Sequence, residues 1–307
     1  MLSTELSNDT VTAIQTLISD HGLPERYEIS VKNFFAPIAS QIQQKRVKSG
    51  PIKLGIQGSQ GSGKSTAAEF IAALLEIEHG LTVAVCSIDD FYLTRAERQT
   101  LAKTVHPLLS TRGVPGTHDT SLIANTFNRF DAGLSFELPV FEKQYDDRAA
   151  TKDWTVVAQS ADVLIFEGWC VGLSSQPQEA LITSCNSLEE TEDADLVWRN
   201  FINHKLTNEY ERLFARLDLM VTLQAPSFSC VFEWRRQQEE QLIERNANVD
   251  GNTLQTFNTD QLSRFIAHFQ RLTEWGLKTM PLKADFTLML SSDHDITHLD
   301  TKPAETP

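Results

Sequence analysis

The stretch GIQGSQGSGKST, residues 55–66, surrounds a single lysine with glycines. It follows the apolar residues 52–56 and leads into AAEFIAALL, residues 67–75, whose composition predicts a helix. The spacing from Gly58 to Lys64 matches the loop in which backbone N–H groups at a helix N-terminus surround phosphates. A flexible glycine-serine turn is the alternative, but strand, motif and helix follow in the required order. The stretch therefore predicts a nucleoside triphosphate site.

Two side chains of this loop have separate expected roles. Lys64 can reach the outer phosphates as a point charge, and the Ser65 hydroxyl is placed to ligate the Mg²⁺ that bridges them. The expected ATP-binding residues are Gly58, Ser59, Gln60, Gly61, Ser62, Gly63, Lys64, Ser65 and Thr66.

Apolar stretches that predict strands alternate with helical patterns along most of the chain. These stretches are residues 52–56, 81–87, 161–166, 218–223 and 285–290. The alternation predicts an α/β fold with a mainly parallel sheet and helices on both faces. A helical pattern over residues 27–43 is expected to pack beside the first strand as scaffold.

Composition and charge limit the possible partners. Of 307 residues, 41% are hydrophobic and 22% charged, and the formal net charge of −14 argues against nucleic-acid or acidic-membrane binding. No targeting or membrane-spanning segment is visible, so we expect a cytoplasmic protein. The cysteines lack metal-ligand spacing and are expected to be reduced thiols: Cys86, Cys170, Cys185 and Cys230.

Two predicted strands end in carboxylates. Asp89 and Asp90 follow the second strand, at the sheet edge where ligands of α/β folds bind. A carboxylate there can accept a proton from a substrate hydroxyl or help to hold Mg²⁺, and a plain helix N-cap fits the pattern equally well. Glu167, beside Gly168 after the third strand, has the position of a Mg²⁺ ligand, with a strand-terminal turn as its alternative.

Further polar residues lie in two loops and on one helical pattern. The segments 112–119 and 138–148 are rich in turn residues, and each alone is typical of a surface loop. Arg235 and Arg236 lie on a helix expected over about 228–245. One of them can close over the nucleotide, or both can form an ordinary ion-paired face with the glutamates that follow.

The motifs GSQGSGKS, SIDDFYLT, RGVPGTHD, FEGW and WRRQQE, in this order, resemble the D-glycerate 3-kinase group. The resemblance runs from about residue 53 to the last predicted strand and extends more distantly to uridine kinase, phosphoribulokinase and pantothenate kinase. It implies a P-loop NTPase fold with substrate-binding insertions and a helical lid. We therefore expect an N-terminal helical segment packed on the core (residues 1–50), a P-loop kinase domain (51–300) and a frayed tail (301–307).

The resemblance also implies an activity and residue roles. The activity is Mg²⁺-dependent transfer of the γ-phosphoryl group of ATP to a hydroxyl of a small molecule, with D-glycerate as the first acceptor to consider. The implied catalytic residues are Lys64, Asp89, Arg235 and Arg236, and the implied Mg²⁺ ligands are Ser65, Asp89 and Glu167. The implied acceptor-binding residues are Asp90, Tyr92, Arg112, His118, Asp119, Lys143 and Arg148. The guanidinium of Arg112 is suited to a carboxylate.

Other functions remain open from the sequence alone. The acceptor can be pantothenate-like, or a nucleoside that stacks on Phe91, Tyr92 or Trp169. A regulatory nucleotide-binding protein is a further alternative, with the acidic residues 189–195 as its partner contact, although that run is most simply a solvated loop. A GTPase is disfavoured because the chain has no Asn-Lys-x-Asp sequence for guanine.

Overall fold

The computed structural model describes residues 6–158, 160–247 and 259–302. Its strands are β1 Ile52–Gly58, β2 Val83–Ser87, β3 Phe136–Leu138, β4 Phe141–Glu142, β5 Asp147–Arg148, β6 Thr155–Val157, β7 Val163–Gly168, β8 Leu219–Gln224, β9 Phe286–Leu290 and β10 Ile296–Thr301. Its α-helices are α1 Asn8–Asp20, α2 Tyr27–Ser30, α3 Ala36–Ser49, α4 Lys64–Ala73, α5 Arg95–Thr104, α6 Thr120–Asp131, α7 Ser187–Glu192, α8 Val197–Lys205, α9 Glu211–Phe214, α10 Phe228–Ala247 and α11 Thr259–Lys283. Short π-helical stretches lie between α2 and α3, after α4 and between α8 and α9.

The main sheet has six strands in the order β10-β9-β8-β1-β7-β2. Strands β9, β8, β1, β7 and β2 are parallel, so the α/β prediction is confirmed, and β10 pairs antiparallel with β9 at one edge. Each strand expected from the sequence lies within two residues of its predicted bounds. Strand β1 is central, which places its carboxyl end between those of β7 and β8.

The C-terminal end of the described chain is part of the sheet. Thr301, where the expected tail begins, is the last residue of β10, and the Lys302 N–H donates to Asp285 O at 2.9 Å. Residues 303–307 of that tail lie outside the described residues.

Helices cover both faces of the sheet. Residues of the N-terminal segment, including Ile14, Phe35 and Ile42, form one apolar cluster with the strand residues Leu54 and Val221 on one face. A second cluster lies on the other face, where helices α6, α8 and α11 contribute buried aromatic and aliphatic side chains. In the part of the chain that the structure describes, none of the helices combines the length and apolarity needed to cross a membrane.

The expectation that the acidic run 189–195 is a solvated loop is wrong for Glu189 and Asp193, whereas Glu190, Glu192 and Asp195 are exposed. The first residues of the run belong to helix α7, and Glu189 and Asp193 are fully buried. The buried Arg199 donates to Asp193 at 2.9 Å and to Glu189 at 3.2 Å. Arg271 of helix α11 forms two further hydrogen bonds to Glu189, at 2.6 and 2.5 Å. Ion pairing with these arginines allows the carboxylates to be buried. The positions of the arginines in the sequence do not reveal this pairing.

Candidate active site

The glycine-rich stretch forms the turn between strand β1 and helix α4. Gly58 is the last residue of β1, and Lys64 is the first residue of α4. Gly63 precedes the helix with left-handed backbone angles, φ 82° and ψ 19°, which L side chains rarely adopt. The helix N-terminus therefore follows directly on the loop, in the arrangement that binds phosphates.

Helix α10 packs directly on this loop. A Cβ atom on Gly61, whose φ is +78°, would lie 2.8 Å from Trp234 Cβ. The Trp234 indole N–H donates to Ser292 O at 2.7 Å, and the His294 ring lies 4.3 Å from the indole, measured between ring centroids. The helix that carries the paired arginines is thus fixed to both the loop and the segment after β9.

Ser65 and Glu167 meet at the carboxyl edge of the sheet. The Ser65 hydroxyl donates to Glu167 Oε1 at 2.9 Å, joining helix α4 to the end of β7. Glu167 is only 5% exposed, and its Oε2 has no hydrogen-bond partner among the described residues. Such a buried oxygen is costly unless a cation or a donor from outside the chain satisfies it.

Asp89 lies in the 3₁₀ turn that follows strand β2. Its Oδ1 accepts a 2.9 Å hydrogen bond from the Tyr92 hydroxyl. Its Oδ2 lies 3.8 Å from the Nζ atom of Lys143, whose side chain is 68% exposed. Tyr92 itself is buried, so its hydroxyl orients Asp89 instead of facing solvent.

Asp90 faces a different neighbour. Its Oδ1 accepts from the Phe141 backbone N–H at 3.3 Å, which fixes the position of strand β4. Burial, followed by repulsion from Asp89, raises the pKa of the Asp90 carboxyl group. Ser87 caps the turn with its side chain, so the N-cap alternative for the two aspartates is not observed. The two adjacent carboxylates are therefore in different environments.

Arg112 lies beside the same β4 segment. Its guanidinium is 5.4 Å from the centroid of the Phe141 ring, and it forms an ion pair with Asp146. Arg98, which is fully buried, lies 5.8 Å from the same ring centroid and 3.0 Å from Asp146. The Phe141 ring also packs edge-on against Tyr92, with centroids 5.2 Å apart. Arg112 is thus one ring away from the Tyr92 side chain that binds Asp89.

His118 lies on the other side of Tyr92. The two rings stack with centroids 4.5 Å apart, and the backbones of the two residues form an isolated β-bridge. His118 Nδ1 is 2.8 Å from the Tyr210 hydroxyl, whereas Nε2 has no partner among the described residues. Burial lowers the pKa of His118 to about 4, although the Asp89 carboxylate opposes the shift.

Asp119 and Arg148 contact each other. Asp119 caps helix α6, where its Oδ1 accepts from the Leu122 N–H at 3.0 Å, and its Oδ2 accepts from Arg148 Nη1 at 3.2 Å. Arg148 also lies 3.8 Å from Glu97. This ion-paired contact joins the second loop to helix α6, so both side chains already have partners within the protein.

Arg235 and Arg236 point in different directions from helix α10. Arg236 pairs with Glu233 and Glu240 on the exposed face of the helix. Arg235 is mostly buried, pairs with Glu239 and lies 5.7 Å from the Phe265 ring centroid.

Arg235 also lies close enough to Arg112 for the two guanidiniums to repel each other. Burial lowers the pKa of Arg235, and repulsion from Arg112 lowers it further. Two arginines from different elements therefore lie within electrostatic range of each other.

Several residues of this arrangement were not expected from the sequence. Arg98 and Tyr210 each bind a predicted site residue or its partner, yet they lie within ordinary helical patterns. Asp146 lies in the segment 138–148, and its positive φ of 52°, which marks an unusual turn, is not visible in the sequence. The sequence predicted the site residues that lie at loop tips and strand ends, because a short motif there follows a recognisable strand pattern.

Comparisons with known proteins agree with this fold and motif set. Residues 54–177 match the family described as "Phosphoribulokinase / Uridine kinase family". A protein of Schizosaccharomyces pombe named "Uncharacterized kinase mug58" is 35% identical over 215 residues, which cover 66% of this chain and 75% of that protein. The chloroplastic D-glycerate 3-kinase of Arabidopsis thaliana is 28% identical over 62% of this chain, and the match spans only 41% of the plant protein.

A solved structure supports the same fold assignment. The D-glycerate 3-kinase of Cryptococcus neoformans superposes with a TM-score of 0.70 at 23% identity, covering 87% of this chain and 97% of that one. The chain belongs to the phosphoribulokinase/uridine kinase family and is a P-loop kinase similar to the D-glycerate 3-kinases.

Proposed function

We propose that this kinase transfers the γ-phosphoryl group of ATP, with Mg²⁺, to a hydroxyl of a small acid, and that D-glycerate is its acceptor. The proposal is carried by Arg112, which lies 5.4 Å from the Phe141 ring centroid, and by Arg235, whose pKa is lowered by burial and by the positive charge of Arg112. Arg112 pairs with Asp146 and Arg235 with Glu239, but each guanidinium has further N–H donors. These donors favour a ligand with a negative charge of its own, in addition to the phosphates at the loop. Two relatives named as D-glycerate 3-kinases support the choice of acid.

The loop geometry supports the nucleotide end of the proposed site. Backbone N–H groups at the start of helix α4 bind the phosphates, and Lys64 adds a positive charge. Lys64 forms no ion pair with any residue in the described ranges, so its ammonium group is available to a phosphate. Arg235 approaches from helix α10, which is fixed to the loop at Gly61. It is suited to stabilise charge on the transferred group.

The site residues fit a Mg²⁺ ion. The unpartnered Oε2 of Glu167 and the adjacent Ser65 hydroxyl are oxygen donors of the type that Mg²⁺ prefers. Within the described ranges no three His, Cys, Asp or Glu side chains cluster to hold a metal by themselves. This suits an ion that shares its ligands with water and phosphate oxygens. When bound, the ion would neutralise charge on the phosphates.

Asp89 is the residue that we assign to the acceptor hydroxyl. Tyr92 holds one of its oxygens, which leaves Oδ2 to face the acceptor, with Lys143 3.8 Å away. At that position Asp89 orients the hydroxyl and accepts its proton as the bond to phosphorus forms. Asp90 is bound to the backbone of β4 and has a structural role in this scheme.

A nucleoside acceptor is less well supported. Phe91, Tyr92 and Trp169 are all buried. Tyr92 already stacks on His118, and the Trp169 ring packs against Phe269 with centroids 5.0 Å apart. The aromatic faces that a nucleobase requires are thus engaged within the protein. A pantothenate-like acid shares the carboxylate of glycerate and belongs among the acceptors to be tested.

The experiment is a measurement of Mg²⁺-dependent ADP release from ATP in the presence of D-glycerate, other small hydroxy acids, pantothenate or nucleosides. Lys64→Ala provides the blank, because loss of the phosphate-binding cation should abolish turnover. We expect D-glycerate to raise the rate well above this blank. Stimulation by a nucleoside and by none of the acids would refute the proposal.

A matched pair of variants tests the basis for choosing an acid. Arg112→Gln should raise the KM of the acid by about 10-fold or more, because hydrogen bonds to charged groups contribute about 1.5–3 kcal/mol. Arg129→Gln removes an arginine in the last turn of helix α6 that binds the Ser135 carbonyl, and it should leave this KM unchanged. Equal KM values in the two variants would contradict the role of Arg112.

A further inference from the structure

His118 has one ring nitrogen that the protein leaves unsatisfied. The residue is 4% exposed, and its Nε2 has no hydrogen-bond partner in the described part of the chain. Its ring stacks directly on Tyr92, whose hydroxyl donates to Asp89. The unsatisfied nitrogen therefore belongs to a side chain that is one ring away from the proposed catalytic carboxylate.

The other ring nitrogen, Nδ1, faces the Tyr210 hydroxyl, and the neighbours of this hydroxyl determine the direction of the hydrogen bond. Nδ1 lies 2.8 Å from the Tyr210 oxygen, and the Gly116 backbone N–H donates to that same oxygen at 2.8 Å. Tyr210 is fully buried, so its hydroxyl proton needs an acceptor within the protein. The Gly116 N–H can only donate, so Nδ1 is the one of these two partners that can accept the hydroxyl proton.

This hydrogen-bond pattern selects one tautomer of His118. A neutral imidazole carries one N–H, so an Nδ1 that accepts from Tyr210 leaves the hydrogen on Nε2. Burial of the ring lowers its pKa and keeps it neutral near pH 7. Nε2–H is then a buried donor without an acceptor among the described residues, which is unfavourable unless a ligand supplies one.

We propose that Tyr210 is a positioning residue that holds His118 as the Nε2–H tautomer, so that this N–H donates to an oxygen of the acceptor beside Asp89. The inference rests on the proposed function, because it takes the acceptor to be a small hydroxy acid, which offers hydroxyl and carboxylate oxygens. In this role His118 binds and orients the acceptor, while proton transfer stays with Asp89.

The tautomer can be measured without nucleotide or acceptor. Proton–nitrogen correlation spectra of protein with isotope-labelled histidine distinguish Nδ1–H, Nε2–H and imidazolium rings, and His118→Gln identifies the signal among the eight histidines. We expect the Nε2–H pattern in the wild type at pH 7 and a mixture of tautomers in Tyr210→Phe. An Nδ1–H or imidazolium pattern in the wild type would overturn the inference, whether or not any acid is phosphorylated.

Steady-state kinetics test whether the tautomer acts on the acceptor. Tyr210→Phe should raise the KM of the acid about 3- to 10-fold, the range of one hydrogen bond, and leave the KM of ATP unchanged. Tyr27→Phe deletes the same hydroxyl from a tyrosine packed on Phe70 in the N-terminal segment, and it should change neither constant. An equal rise of both KM values in Tyr210→Phe would indicate a merely structural role and overturn the inference. A wild type without acid-stimulated turnover would instead refute the proposed function.

Discussion

Acidification is expected to destabilise this protein through His118. The pKa of its ring is about 4 in the folded protein, against the ordinary histidine value of 6.5 that applies to the unfolded chain. Between these values the unfolded chain binds a proton that the folded protein does not, so the free energy of unfolding falls as the pH falls. The full shift corresponds to about 3 kcal/mol, of which about 1 kcal/mol is lost by pH 5.5.

The assay is urea unfolding of the wild type and His118→Gln at pH 8, 5.5 and 4.5. The pH dependence of the free energy of unfolding must be compared between the two proteins, because other histidines contribute to it. Burial also lowers the pKa of His79, His268 and His294, so these residues likewise destabilise the fold as the pH falls. Asp90 acts in the opposite direction, since its raised pKa favours proton uptake by the folded state. These contributions are common to both proteins and cancel in the difference.

The wild type should lose about 1 kcal/mol more than His118→Gln between pH 8 and 5.5. The loss should continue to pH 4.5 and level off below the folded-state pKa. Parallel stability profiles of the two proteins would refute the reasoning, because they would mean that the buried ring is not held neutral. The absolute stability of His118→Gln does not enter the test.

Three further perturbations address other contacts. Asp89→Asn should preserve nucleotide affinity and lower kcat by about 100-fold or more, the scale of general-base loss; Asp90→Asn should lower it less, and equal losses in steady-state assays would contradict their separate roles. Arg235→Gln should lower kcat/KM for the acceptor more than Arg236→Gln, which alters the exposed face of the same helix; the reverse order would exclude Arg235 as the inward-facing cation. Arg199→Met should lower the free energy of unfolding by about 3–5 kcal/mol in urea titrations, because it removes a partner from two buried carboxylates; an unchanged midpoint would contradict that pairing.

The sheet was accessible from the sequence because its central strands are uniformly apolar and end at recognisable motifs. Strand β7, for example, is buried throughout, and Glu167 lies at its carboxyl end. Strand β10 was not predicted, since it alternates exposed polar residues with few apolar ones after a short turn. Because this strand was missed, residues 301 and 302 were predicted to belong to a frayed tail.

The site was accessible only in part. The phosphate loop and the carboxylates at two strand ends follow from local patterns, whereas pairing between distant residues does not. Nothing in the sequence indicates that Tyr210 binds His118, or that Arg98 and Arg112 share Asp146. Likewise, composition makes residues 189–195 look solvated, and only the arrival of Arg199 and Arg271 explains why Glu189 is buried.

The buried cluster around Glu189 has a consequence for recombination between related kinases. Arg199 comes from helix α8 and Arg271 from helix α11, and both bind the same carboxylate. A chimera that takes helices α7 and α8 from one parent and helix α11 from another would bring unmatched charges into a dry interior. These segments, although distant in sequence, must therefore be exchanged together.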